Sequence, residues 1–144
     1  MDTTPEQTTE SHPPMPPVKN GLLPYITVDG AVKAAEFYAK AVGAERAFLV
    51  PVDEQGRTMH VHLYVNGSSL MLADAYPEFG HPYEKPQGYT LQLVVDDIDR
   101  WWGRAVDAGM EVVMPVERMF WGDRYGQLRD PFGVLWAMNE PAAR

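Results

Sequence analysis

The chain has 144 residues, 45% hydrophobic and 22% charged, which suits one globular domain and leaves little room for two. Its net charge of −8, with 12 basic residues spread among 20 acidic ones, argues against nucleic acid and anionic membrane surfaces as partners. No cysteine is present, so disulfides, thiolate metal sites and cysteine nucleophiles are all excluded.

The first 20 residues hold five prolines and four threonines with almost no periodic apolar positions. Such a stretch buries too little apolar surface to offset its ordering entropy, so residues 1–20 read as a disordered tail, with His12 a solvated side chain. The tail has no basic region followed by an apolar stretch, and no run approaches the ~18 apolar residues of a membrane span. The expectation is a cytoplasmic protein.

The folded domain is expected from residue 21 to 144. Leu22–Val28 reads as a strand, with Ile26 and Val28 on one face and Leu23, Tyr25 and Thr27 on the other. Pro24 lacks a donor and marks an edge or a strand start. Asp29 is placed to cap a helix over Ala31–Val42, whose apolar stripe is Ala34, Phe37, Tyr38 and Ala41, with Gly43 at its end. Strands follow over Ala47–Pro51, Thr58–Val65 and Ser69–Ala73, the last two joined by the hairpin pair Asn66–Gly67. Residues 75–88 are rich in Pro and Gly and read as a connection.

The second half repeats the order. Tyr89–Val95 is a strand, Asp96–Asp97 supply caps, and a helix over Ile98–Ala108 ends at Gly109. Strands over Glu111–Val116, Asp123–Leu128 and Val134–Asn139 follow, with Asp130–Gly133 as the last turn, where Asp130 reads as local turn chemistry. Gly43 and Gly109 are 66 apart (109 − 43), and so are Gly67 and Gly133 (133 − 67). Helix ends and turns therefore share one offset, as in an internal duplication of two βαβββ modules, residues 21–75 and 89–140. The fold class is α+β, a cupped mixed sheet with helices outside.

Three segments carry a family resemblance: LLPYITVDGAVKAAEFYAKAVGAE, HVHLYVNGSSLMLADA and FWGDRYGQLRDPFGVLWAMNE. With the order βαβββ twice, they resemble the vicinal oxygen chelate superfamily of glyoxalases, extradiol dioxygenases and bleomycin resistance proteins, and within it the PhnB-like branch. The resemblance spans residues 21–140. It implies a curved sheet, a homodimer and a small-molecule ligand in the concave face, with Tyr25, Thr27, Thr90 and Gln92 turned into the cup.

Catalytic members of that superfamily hold a divalent metal with His or Glu on the first and last strands of each half, which gives a Lewis-acid centre with open positions. Here those positions fall on Leu23, Thr90, Ala137 and, on or beside it, Met71, and none of these is a good ligand. The usual metal site is expected to be absent. A displaced site remains the alternative, since His60, His62 and Tyr64 share one strand face. It would take zinc, nickel, manganese or iron, with Asp74, Asp123, Glu117 or water as a third ligand, and would make the protein a metal-dependent lyase, isomerase or dioxygenase. Otherwise His60 and His62 hydrogen-bond a ligand or cup side chains.

Trp121 offers a flat apolar surface for a planar or amphipathic ligand, or is a core or dimer contact like Phe120. Arg124 meets an anionic ligand group or pairs with Asp123 or Asp130 at the surface. Trp101, Trp102 and Trp136 read as packing residues. No phosphate-binding Gly-rich loop and no nucleophile elbow is present, and Ser68 and Ser69 lack a base at a known spacing. The expected function is metal-independent small-molecule binding, with His60, His62, Tyr25, Gln92, Trp121 and Arg124 as the ligand-binding candidates.

Overall fold

A computed structural model describes residues 15–143. The element order is β1 (Tyr25–Thr27), α1 (Ala31–Val42), β2 (Glu45–Leu49), β3 (Val61–Val65), β4 (Ser68–Ala73), a 3-10 turn at Pro77–Phe79, β5 (Leu91–Val94), α2 (Ile98–Ala108), β6 (Glu111–Arg118), β7 (Arg124–Arg129) and β8 (Leu135–Glu140). They form two four-stranded sheets ordered β1-β4-β3-β2 and β5-β8-β7-β6. In each, the first strand runs parallel to the fourth and the other pairs are antiparallel. The duplicated α+β architecture expected from the 66-residue offset is therefore present.

Both helices have the bounds that the apolar stripes predicted. The first strand is shorter than expected. Pro24 has no N–H to give, and residues 20–22 bend, so regular pairing starts at Tyr25. The cap of α1 also differs. The N-cap is Gly30, held at φ +103°, and Asp29 stands one position too early to reach the helix amides. Asp74, at the end of β4, takes that role by accepting from Gly30 N at 2.8 Å and Ala31 N at 3.0 Å. In α2 the expected cap Asp97 does accept from Arg100 N. Glu140 adds a second carboxylate at Ile98 N.

Only part of the Pro-rich tail falls among the described residues. Within that part, the Lys19 N–H donates to Ser69 Oγ and the Lys19 carbonyl accepts from Ser69 N.

The core lies where the helices back the sheets and each other. Ile26, Val28, Val61, Leu63 and Leu72 are buried under α1, and Leu93, Leu128, Trp136 and Met138 form the corresponding set in the second sheet. Strand period explains both sets, since alternate residues share a face. The modules join through α1–α2 packing and through Tyr38, whose ring lies 5.2 Å from Trp136 and 6.2 Å from Phe132. Arg104 of α2 donates to the Lys40 and Ala39 carbonyls at the C-terminal end of α1. That satisfies carbonyls the helix cannot pair itself and sets a cation at the negative end of its dipole.

The Asp130 carboxylate is buried and accepts from Phe132 N, Val134 N, Trp136 Nε1 and the Tyr38 hydroxyl. Burial, with Asp130 alongside, pushes the Tyr38 phenol far above its ordinary range, so it stays a donor. Replacing Asp130 with Ala strands four buried donors. Hydrogen bonds to a charged partner contribute about 1.5–3 kcal/mol each, so Asp130→Ala is expected to cost at least ~3 kcal/mol in urea denaturation. A loss under ~1 kcal/mol would show that the turn holds without its carboxylate.

Gly126 of β7 lies under Trp102. A Cβ there would sit 2.7 Å from the indole and 3.0 Å from the Met114 carbonyl. Gly126→Ala should therefore cost about 1–3 kcal/mol and shift the tryptophan fluorescence, while the same change at the open Gly103 should not.

Candidate functional site

The face of the first sheet turned away from α1 carries Tyr25 and Thr27 on β1, His62 and Tyr64 on β3, and Ser69, Met71 and Ala73 on β4. Register places Tyr25 beside Met71, Met71 beside His62, and Phe48 of β2 on the other side of His62. His60 immediately precedes β3 on the same phase. Its Nδ1 lies 3.0 Å from the Tyr25 hydroxyl, and its ring lies between those of Tyr25 (5.7 Å) and Phe48 (6.0 Å). Burial raises the Tyr25 phenol, which remains protonated.

His62 is 2% exposed, and its Nε2 lies 2.8 Å from Ser69 Oγ, itself 2% exposed. Burial first, and neighbouring His60 second, lower the His62 imidazole, which favours the neutral ring. The Tyr64 ring meets His62 edge-on at 4.9 Å. Tyr25, His60 and His62 are thus gathered on one face by strand period. Ser69 was missed as a partner of His62, although the same period puts both on that face.

In the second sheet the corresponding face bears Gln92, beside Ala137 in register, and Gln127, whose amide donates to the Tyr125 hydroxyl. A 460 Å³ cavity lies at the seam of the modules. Ser69, Asn66, Thr90, Gln92, Leu91 and Trp136 are among its lining residues, and it meets both sheets. Asn66 spans the seam by donating to the Val94 carbonyl at 2.9 Å. Gln92 therefore faces the same space as Ser69, the partner of His62.

Two candidates stand elsewhere. The Arg124 guanidinium is bound in bidentate fashion to Asp99 of α2, at 3.0 and 2.9 Å, with Glu140 at 3.8 Å. Residues 124, 126 and 128 of β7 share the helix-side face, so Arg124 is an intrachain partner and not a cup residue. Its pairs are also not Asp123 or Asp130, the residues that sequence proximity suggested. Trp121 projects from the β6–β7 turn, half-exposed, with its ring edge-on to Phe120, which is 97% exposed. Phe120 is therefore no core residue of this chain.

The donor set does not fit the metal of the superfamily's enzymes. Leu23, Met71 and Ala137 offer a hard cation nothing, and Thr90 is a weak ligand. Each candidate histidine has one ring nitrogen against a hydroxyl, His60 Nδ1 on Tyr25 and His62 Nε2 on Ser69, so each keeps one nitrogen for a cation and a site there would depend on a third ligand. Asp74 is engaged by Gly30, Ala31 and Thr58 amides, and Asp123 by Asn139 and Ala142. Among the described residues no group of three or more His, Cys, Asp or Glu is disposed to hold a metal ion.

Comparison with known proteins agrees with this architecture. A protein of Mycobacterium bovis, itself uncharacterized, is 38% identical over 130 residues, covering 86% of this chain and 85% of that protein. The crystal structure of a Pseudomonas aeruginosa protein superposes with a TM-score of 0.68 at 29% identity, over 86% of this chain and 99% of that one. A Bacillus cereus structure, titled a putative 3-demethylubiquinone-9 3-methyltransferase and PhnB protein, gives 0.62 at 19% identity, over 85% of this chain and 100% of that one. The model of the Glyoxalase/Bleomycin resistance protein/Dioxygenase superfamily matches residues 22–138, and the chain belongs to that superfamily.

Proposed function

We propose that this protein binds a small organic molecule on the open faces of its two sheets, through hydrogen bonds and aromatic contact and without the metal of its catalytic relatives. The observation that carries this reading is the donor set of the open faces, where Leu23, Met71, Thr90 and Ala137 stand at the places of the catalytic metal's ligands while Tyr25, His60, His62 and Ser69 form a hydrogen-bonding surface. The 460 Å³ cavity between Ser69 and Gln92 supports it, being of a size that takes a drug-sized molecule and lined by both apolar and polar side chains. A neutral His62 suits the same reading, because a neutral imidazole offers a ligand one donor or one acceptor. The chain's acidic balance biases the surface toward cationic ligands.

On this reading the protein is a homodimer in the PhnB-like branch, and a second copy completes the cup over the exposed Tyr25 and Val94. No helix among the described residues is long and apolar enough to cross a membrane. The displaced metal site stays the competing reading because His60 and His62 project from one face two residues apart.

Protein purified without chelator should carry far less than one divalent ion per chain. Stoichiometric zinc, nickel, manganese or iron, lost in His60→Ala, would overturn the metal-free reading. A thermal-shift screen of glycopeptide antibiotics, methylglyoxal–thiol adducts and catechols should yield a ligand whose affinity falls about three- to tenfold in Tyr25→Phe or Gln92→Ala, as loss of one hydrogen bond requires. Arg124→Ala should leave that affinity unchanged. Light scattering should give twice the 16.2 kDa of one chain. A monomer would remove the second copy from the site.

A further inference from the structure

Residues Pro17–Asn20 run along the edge of β4 ahead of β1 and reach Tyr64 on the open face, held there by hydrogen bonds and a cation–π contact. The Lys19 N–H donates to Ser69 Oγ at 2.8 Å, and the Lys19 carbonyl accepts from Ser69 N at 3.2 Å. The Tyr64 hydroxyl donates to the Pro17 carbonyl at 2.7 Å, and the Asn20 amide to Ser68 Oγ. The Lys19 ammonium lies 4.0 Å from the centroid of the Tyr64 ring, a cation–π distance. Ser69 thus presents one acceptor and one donor to a single residue while its hydroxyl also meets His62. Tyr64 presents an aromatic face to the positive charge on the same residue.

The segment brings no apolar anchor. Val18 is 53% exposed, and no residue of 17–20 belongs to the core. A stretch held by hydrogen bonds and one cation–π contact, which water or a ligand can replace, opens more easily than the helices and strands beneath it. What it touches is the polar surface that the proposed function assigns to an outside molecule.

We propose that Pro17–Asn20 is a displaceable occupant of a binding site for amide-bearing cations, built from Ser69 and Tyr64 beside His62, and that it leaves when an outside ligand of that chemistry enters. The inference rests on the open face being a ligand surface, and it names the ligand class. That class is a molecule with an amide N–H and C=O to pair with Ser69 and an ammonium group to lie over Tyr64. Peptides containing lysine are the simplest case. The segment and the ligand compete, so the protein's affinity reports the cost of lifting its own chain.

The test uses the full chain carrying Lys19→Pro. This removes the N–H that Ser69 accepts and the ammonium over Tyr64, while every proposed site residue stays intact. The probe is acetyl-Pro-Val-Lys-Asn-amide, titrated calorimetrically. It should bind the Lys19→Pro chain about tenfold more tightly than the unsubstituted chain. Adding Ser69→Ala should abolish the gain, and so should replacing the probe's lysine by norleucine, which leaves the protein untouched.

In parallel, carbethoxylation of His62 by diethyl pyrocarbonate, followed by peptide mass spectrometry, should be about tenfold faster in Lys19→Pro than in the unsubstituted chain, because the cover has lifted. Equal probe affinity for the two chains overturns the proposal. So does a His62 that becomes reactive in a chain that still ignores the probe, since that is a cover with no site beneath. Neither titration uses a molecule from the small-molecule screen. A negative result here beside a screening hit sensitive to Tyr25 and Gln92 sinks this inference alone. A positive result here with no such hit keeps the open face as a ligand surface and removes Tyr25 and Gln92 from it.

Discussion

One buried carboxylate ties the turn of the second module to the helix of the first. Asp130 sits in the turn between β7 and β8, where two of its four donors are local amides, Phe132 N and Val134 N. The other two are Trp136 Nε1 on β8 and the Tyr38 hydroxyl on α1, 92 residues away in the chain. A buried anion with four donors is tolerable where one with fewer would not be, because each missing donor leaves part of its desolvation uncompensated. The Tyr38 ring that supplies the distant donor also packs on Phe132 and Trp136. The polar contact and the aromatic cluster thus fix α1 against the same turn and strand of the second module. The 460 Å³ cavity lies at the seam that this contact sets.

The same economy appears at the helix starts. Asp74 at the end of β4 reaches the first amides of α1, and Glu140 at the end of β8 reaches the first amide of α2. The two carboxylates are 66 residues apart (140 − 74), the offset that relates the helix ends and the hairpin turns. Each module therefore closes on itself, with its last strand capping its own helix. Parallel pairing of first and fourth strands brings those termini together.

Much of this was legible in the sequence because it depends on local period and turn chemistry. Helix bounds, strand faces, the Asn66–Gly67 hairpin and the duplication all come from residues within one or two turns of each other. The cap of α1 was assigned to Asp29 because a sequence shows near neighbours and not the residue that folding delivers from 44 positions on. Asp130 read as turn chemistry, which is half of its role, and Tyr38 as stripe, which is likewise half. Of the site, Tyr25, His60 and His62 followed from strand phase, and Gln92 from the equivalent phase in the repeat. Arg124 did not, since Asp99 lies 25 residues back on a helix whose facing side chains only the tertiary fold decides. Pro17–Asn20 carried no signal, because polar backbone contacts leave no trace in apolar periodicity.

The repeat also shows what duplication has and has not kept. Tyr25 opposite Met71 in the first sheet occupies the place of Gln92 opposite Ala137 in the second (92 − 25 = 67 and 137 − 71 = 66). A metal bound between the halves needs similar donors from both, and then substitution at any one of the four places is costly. Those four places hold Leu23, Met71, Thr90 and Ala137, and beside them the first half offers the Tyr25 phenol and the second the Gln92 amide. On the proposed metal-free reading no cation links these choices, so each half is free to suit a different part of one molecule. An aromatic and imidazole wall facing an amide wall favours a ligand that is itself lopsided, apolar or cationic at one end and hydrogen-bonding at the other. On the proposed reading, two faces that share no metal ligand are free to differ, and their difference sets which molecule the cup accepts.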